Sequence, residues 1–92
     1  MRKGKSKKTP IQTMEPETSL IDEGKHLRII AELPGIPEGK IRIDLEKTTV
    51  TIFASDAGKQ YNKVITIPCE ARLFKKRFLD GVLELNLEKT GS

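Results

Sequence analysis

The stretch Glu32-Leu33-Pro34-Gly35-Ile36-Pro37-Glu38-Gly39-Lys40 has two glycines followed by a lysine, the residue types that build a phosphate-cradling loop. Such a loop needs G-x-x-x-x-G-K-[ST], in which consecutive backbone N–H groups wrap the phosphates while the lysine and a hydroxyl hold the terminal phosphate and its metal. Here the span from Gly35 to Gly39 is one residue too short, and Ile41 stands where the hydroxyl belongs. Pro34 and Pro37 also remove amide donors from the cradle, so the stretch reads as a turn. Cys69 and His26 are each the only residue of their type. That excludes an intrachain disulfide, a Cys-rich zinc site and His-rich metal sites, and it leaves most acid–base schemes without their usual player. Cys69, with no base near it in sequence, reads as a half-buried packing residue. The carboxylates Glu15, Glu17, Asp22 and Glu23, and further on Asp44, Glu46 and Glu88, alternate with apolar residues as a solvated face does. Neither an enzyme nor a bound cofactor is expected.

The elements that these residues sit on follow from the apolar pattern. Leu27, Ile29, Ala31 and Leu33 alternate with mainly polar neighbours, as do Ile41, Ile43 and Leu45 among four charges, which is the period of a strand with one buried face. Thr49–Ala54 follows through Lys47-Thr48 as the second arm of a hairpin. Asp56-Ala57-Gly58-Lys59 is a turn signal, and Tyr61–Ile67 is a strand stopped by Pro68. Residues 69–75 have room for one helical turn at most. Phe74–Phe78 reads as a strand, and Asp80-Gly81 as a tight turn into Val82–Leu87, where Leu83, Leu85 and Leu87 share a face. Thr18–Ile21 makes a short edge strand. About six to eight strands with turns every ten residues or so, and no convincing helix, predict an all-β, antiparallel, immunoglobulin-like sandwich.

Charge and length bound the rest. The chain has 92 residues and a net charge of +4, and Arg2, Lys3, Lys5, Lys7 and Lys8 account for the excess. Residues 1–17 are too polar to order themselves and read as a flexible basic arm, whose bland role is solubility; nucleic acid is disfavoured as its partner, because the few aromatic residues form no RNA-binding signature. Residues 18–89 form the domain and 90–92 a short end. No apolar run is long enough to span a membrane, and the chain reads as soluble and cytoplasmic.

Four sequence elements, in order, resemble the alpha-crystallin domain of the small heat-shock proteins. Ala31-Glu-Leu-Pro-Gly-Ile36 is similar to that family's A-x-x-x-PG-[VI] element. Thr49–Ala54 resembles its "LTISA" strand, and Ile65-Thr-Ile-Pro68 its "F-x-LP" ending. Phe78-Leu-Asp-Gly-Val-Leu-Glu-Leu-Asn-Leu-Glu-Lys89 resembles F-x-[ND]-GVL-x-[VIL]-x-[VIL]-P-K. The motif turns are then Leu33, Pro34 and Gly35, and Gly81, Val82 and Leu83, with positive φ expected at Gly35 and Gly81. The resemblance implies an ATP-independent holdase that accepts partly unfolded proteins in a groove lined by Ile41, Ile43, Leu45, Phe74 and Phe78. Three departures accompany it: only Ser55–Gln60 stand where many members have a long loop carrying a swapped strand, no I-x-I motif follows Lys89, and Lys63 replaces the usual arginine before "LP". They imply a monomer or a small dimer, and they keep open a second reading as a CS-like adaptor docking on one specific folded partner.

Overall fold

The computed structural model describes residues 12–91. The strands are β1 (Gln12–Met14), β2 (Thr18–Asp22), β3 (His26–Glu32), β4 (Ile41–Glu46), β5 (Thr49–Asp56), β6 (Lys59–Thr66), β7 (Ala71–Leu79) and β8 (Val82–Lys89), with a 3₁₀ turn at Glu38–Lys40. They form two four-stranded sheets, ordered β1-β6-β5-β4 and β2-β3-β8-β7. All pairings are antiparallel except the short parallel match of β1 to β6. The expected all-β sandwich is therefore the observed architecture.

Turn chemistry fixes the hairpins. Ala57 and Gly58 have φ of 49° and 83°, and Asp80 and Gly81 have φ of 52° and 78°. Two consecutive left-handed residues match the right-handed twist of the flanking strands, so β5 returns directly as β6 and β7 as β8. Alternation then turns Leu27, Ile29 and Ala31 of β3, Val50, Ile52 and Ala54 of β5, and Leu83, Leu85 and Leu87 of β8 into one sealed core. Burying each of the larger side chains contributes about 1.5–3 kcal/mol.

Two expectations are corrected. Gln12–Met14 lies within the span assigned to a flexible arm, yet it is a strand, because β6 offers an open edge at Lys59–Tyr61 and Met14 packs against the core. Residues 1–11 of the basic arm, with Arg2, Lys3, Lys5, Lys7 and Lys8, lie outside the described residues. Residues 69–75, where the sequence left room for one helical turn, instead enter the nine-residue β7 at Ala71. The open edge of β8 supplies a ladder of backbone partners from Lys89 onward, and pairing of this kind overrides weak local preference.

One acidic contact gives the fold a pH dependence of known sign. Lys89 Nζ donates to Asp22 Oδ1 at 2.9 Å and the Gly24 N–H to the same oxygen at 3.0 Å, and these bonds, the lysine's foremost, hold the Asp22 carboxyl below its ordinary value. A depressed carboxyl stabilises fully above the unfolded value, and that contribution is lost as the pH falls through the folded one. Urea midpoints should accordingly fall less between pH 7 and pH 3 in Asp22→Asn than in the wild type; equal falls would remove the assignment.

Candidate functional site at the stacked sheet edges

The connection Glu15-Pro16-Glu17 decides which edges of the two sheets lie over one another. Four Cα steps separate Met14 from Thr18, a reach of roughly 14 Å. Sheets pack about 10 Å apart and strands about 4.8 Å apart, so β1 fits within reach of β2 only when the two stack at the same side. At opposite sides they would stand about 17 Å apart. With β1 over β2, β4 lies over β7 at the other side, and both are edge strands.

The inward residues of these edges are largely apolar. On β4, Ile41 is buried while Ile43 and Leu45 are half-buried, and all three pair across to Ala54, Ile52 and Val50 of the core. On β7, Phe78 pairs with Leu83 and packs half-buried against the core. A residue shares its face with its cross-strand partner, so Leu73, opposite Leu87, is also inward, yet it remains 41% exposed. The two edge strands thus present Ile43, Leu45, Leu73 and Phe78, partly exposed, beside two rows of unpaired backbone donors and acceptors.

Phe74 stands elsewhere than expected. A register irregularity between Leu73 and Lys75 interrupts the ladder, and a bulge of this kind reverses the alternation beyond it. Phe74 is 62% exposed, and its ring lies 5.6 Å from that of His26. His26 pairs with Glu88, one residue away from inward Leu87, so Phe74 belongs to the outer face. Leu73 takes the place assigned to it, and no sequence signal marked the bulge. The same register turns Lys76 inward, opposite Leu85, a placement readable by counting back from the Asp80-Gly81 turn.

The motif turns come together in space. The Leu33 N–H donates to the Gly81 carbonyl at 2.7 Å, and Gly35 and Gly81 share a φ of 78°. Leu33 and Leu83 are core residues, whereas Val82, opposite Glu32, is 40% exposed on the outer face. The Pro34-Gly35 pair therefore ends β3 against the β7–β8 turn and sends the chain across to the edge strand β4. Lys63, on the inward face of β6 opposite Ile52, is half-buried and lies 3.7 Å from Glu15. Cys69 is half-buried. Among the described residues no cluster of His, Cys, Asp and Glu is arranged to hold a metal, and no helix is long and apolar enough to cross a membrane.

Comparison with known proteins defines the class of fold. No protein-family model matches the chain, and no curated protein matches it in sequence. Among solved structures, hspA from Xanthomonas axonopodis superposes with a TM-score of 0.71 at 19% identity, covering 82% of this chain and 93% of that one. A small heat-shock protein from Xylella fastidiosa gives 0.70 at 17% identity, over 84% and 87% of the two chains. Heat shock protein 16.0 from Schizosaccharomyces pombe gives 0.69 at 17% identity, over 83% and 67%. The chain has the alpha-crystallin sandwich fold of the small heat-shock proteins.

Proposed function

We propose that the protein is an ATP-independent holdase that captures extended apolar segments of partly unfolded proteins in the cleft between β4 and β7. The observation that carries this reading is the pairing of half-exposed apolar side chains, Ile43, Leu45, Leu73 and Phe78, with two open strand edges at one mouth. An extended client segment gains backbone hydrogen bonds from such an edge and side-chain burial from the cleft, whatever its detailed sequence. Residues 18–89 act as the working domain. Self-association stays small, through sheet edges, because the two-residue turn at Ala57-Gly58 joins β5 directly to β6 and leaves no loop that could carry a strand to a partner. The protein works in the cytoplasm without a cofactor.

Light scattering from two unrelated heat-labile proteins, warmed with and without this protein and with no nucleotide, tests the reading. Protection of both supports a holdase. Protection of neither, with the domain folded by circular dichroism, supports the adaptor reading, which the short β5–β6 connection favours. Leu73→Glu should weaken client binding roughly 3- to 8-fold, since a docked segment would cover the exposed part of the leucine, worth about 0.6–1.2 kcal/mol. Its thermal midpoint should change little, because the residue is already 41% exposed. Unchanged protection by Leu73→Glu would move the binding surface away from this edge.

A further inference from the structure

The free edge of the cleft has a charge as well as a shape. β7 carries Arg72, Lys75, Lys76 and Arg77 and no acidic residue. Arg72 is spoken for by Glu88, with Nη2 to Oε1 at 2.6 Å. Lys75 stands opposite Asn86 and Lys76 opposite Leu85, neither of which can neutralise it. Arg77 stands opposite Glu84, but that carboxylate receives Arg28 at 3.5 Å. Among the described residues, none of Lys75, Lys76 and Arg77 forms an ion pair within the chain. All three fall on the regular run beyond the bulge, where the outer edge of β7 is available to a further strand.

The faces divide the work. Lys75 and Arg77 share the outer face with Asn86 and Glu84, whereas Lys76 and Phe78 share the inner face with Leu85 and Leu83. A strand added to β7 would place alternate residues beside Lys75 and Arg77, and the intervening ones against Phe78 and Ile43 in the cleft. Lys76, at the cleft mouth, can lay its alkyl stem along apolar neighbours while its ammonium stays wet, and it repels any cationic side chain entering beside it. Cross-strand pairs of opposite charge stabilise a sheet and like pairs destabilise it.

Building on the cleft reading above, we propose that the β7 edge selects extended segments in which apolar residues facing the cleft alternate with acidic residues facing Lys75 and Arg77. The occupant is a strand of acidic–apolar character supplied by another protein. The two outer-face cations, Lys75 and Arg77, give a preference of about tenfold over a basic segment of the same apolar content. The preference weakens at high salt, because the pairs are exposed and within reach of screening.

Fluorescence anisotropy of labelled eight-residue peptides on the full chain tests the proposal, with valine alternating with glutamate, with serine or with lysine. The expected order is glutamate tightest and lysine weakest, with the span collapsing in 0.5 M salt. A triple variant, Lys75→Glu, Lys76→Glu, Arg77→Glu, should reverse the order, and the milder triple change to glutamine should level it if the first variant fails to fold. Equal binding of all three peptides would overturn the charge selection while leaving the cleft reading intact. Binding of none would overturn both and leave the cations as a guard against edge-to-edge aggregation. Tighter binding of a single-stranded oligonucleotide than of the glutamate peptide, lost in the same variants, would replace the peptide with nucleic acid.

Discussion

Leu85→Ala should unfold a large fraction of the protein at temperatures the wild type tolerates. Leu85 is fully buried at the centre of β8, between Ile29 of β3 and Lys76 of β7 in register. Truncating a buried leucine costs about 2–5 kcal/mol, the upper part of the range applying where neighbours cannot collapse into the space. Here those neighbours are held by backbone ladders on both sides. Total stability for a domain of this size is about 5–10 kcal/mol, so the variant keeps little in reserve. Urea denaturation followed by circular dichroism should show the midpoint falling with an unchanged slope. Val64→Ala, on the outer face of β6 at 60% exposure, should stay within about 0.5 kcal/mol of wild type. A loss below about 1 kcal/mol for Leu85→Ala would contradict the assignment of β8 as the central core strand.

Gly81→Val is the second large effect, and Gly35 supplies its control. Both glycines have φ of 78°, a conformation that costs an ordinary residue about 1–3 kcal/mol. Their surroundings differ. A Cβ at Gly35 would meet nothing within 4 Å, whereas one at Gly81 would lie 3.2 Å from the Pro34 Cα and 3.8 Å from the Leu33 carbonyl oxygen. Backbone on the far side cannot swing away as a side chain could, and the Leu33–Gly81 hydrogen bond sits in the same junction. Gly35→Ala should therefore cost about 1 kcal/mol and Gly81→Ala more. Gly81→Val should cost at least about 2–3 kcal/mol, with β-branching added to strain and crowding. Equal losses for Gly35→Ala and Gly81→Ala would show that the close approach of the two motif turns contributes nothing.

These two cases also show what the sequence makes legible. Period-two alternation and paired turn residues are local, so the strands β3 to β6 and β8, the Asp80-Gly81 turn and the inward leucines could all be read from it. Positive φ at Gly35 and Gly81 was readable for the same reason: each follows a residue that ends or turns a strand. The stacking of β4 over β7 required the three-residue link Glu15-Pro16-Glu17, which has meaning only once β1 is known to be a strand. With Met14 alone contributing an apolar side chain to that strand among residues 13–17, no periodicity could announce it. The bulge in β7 was invisible as well, because Ala71–Leu79 contains no glycine or proline to mark it. Strict alternation places Phe74 and Phe78 on one face; the bulge turns Leu73 inward and Phe74 out toward His26. A single inserted residue thus changed which side chain faces inward without changing the fold.

The measurement that bears most directly on the cleft is hydrogen exchange of the protein bound to a heat-destabilised client, compared with the protein alone. Edge strands expose amides that a docked segment would cover, so slowed exchange should concentrate in Ile41–Glu46 and Lys75–Leu79. The amides of β5 and β8, already inside their sheets, should hardly change. Slowing confined to the open part of β6 or to β2, with β4 and β7 exchanging as in the free protein, would contradict the account and place client capture on the opposite side of the sandwich.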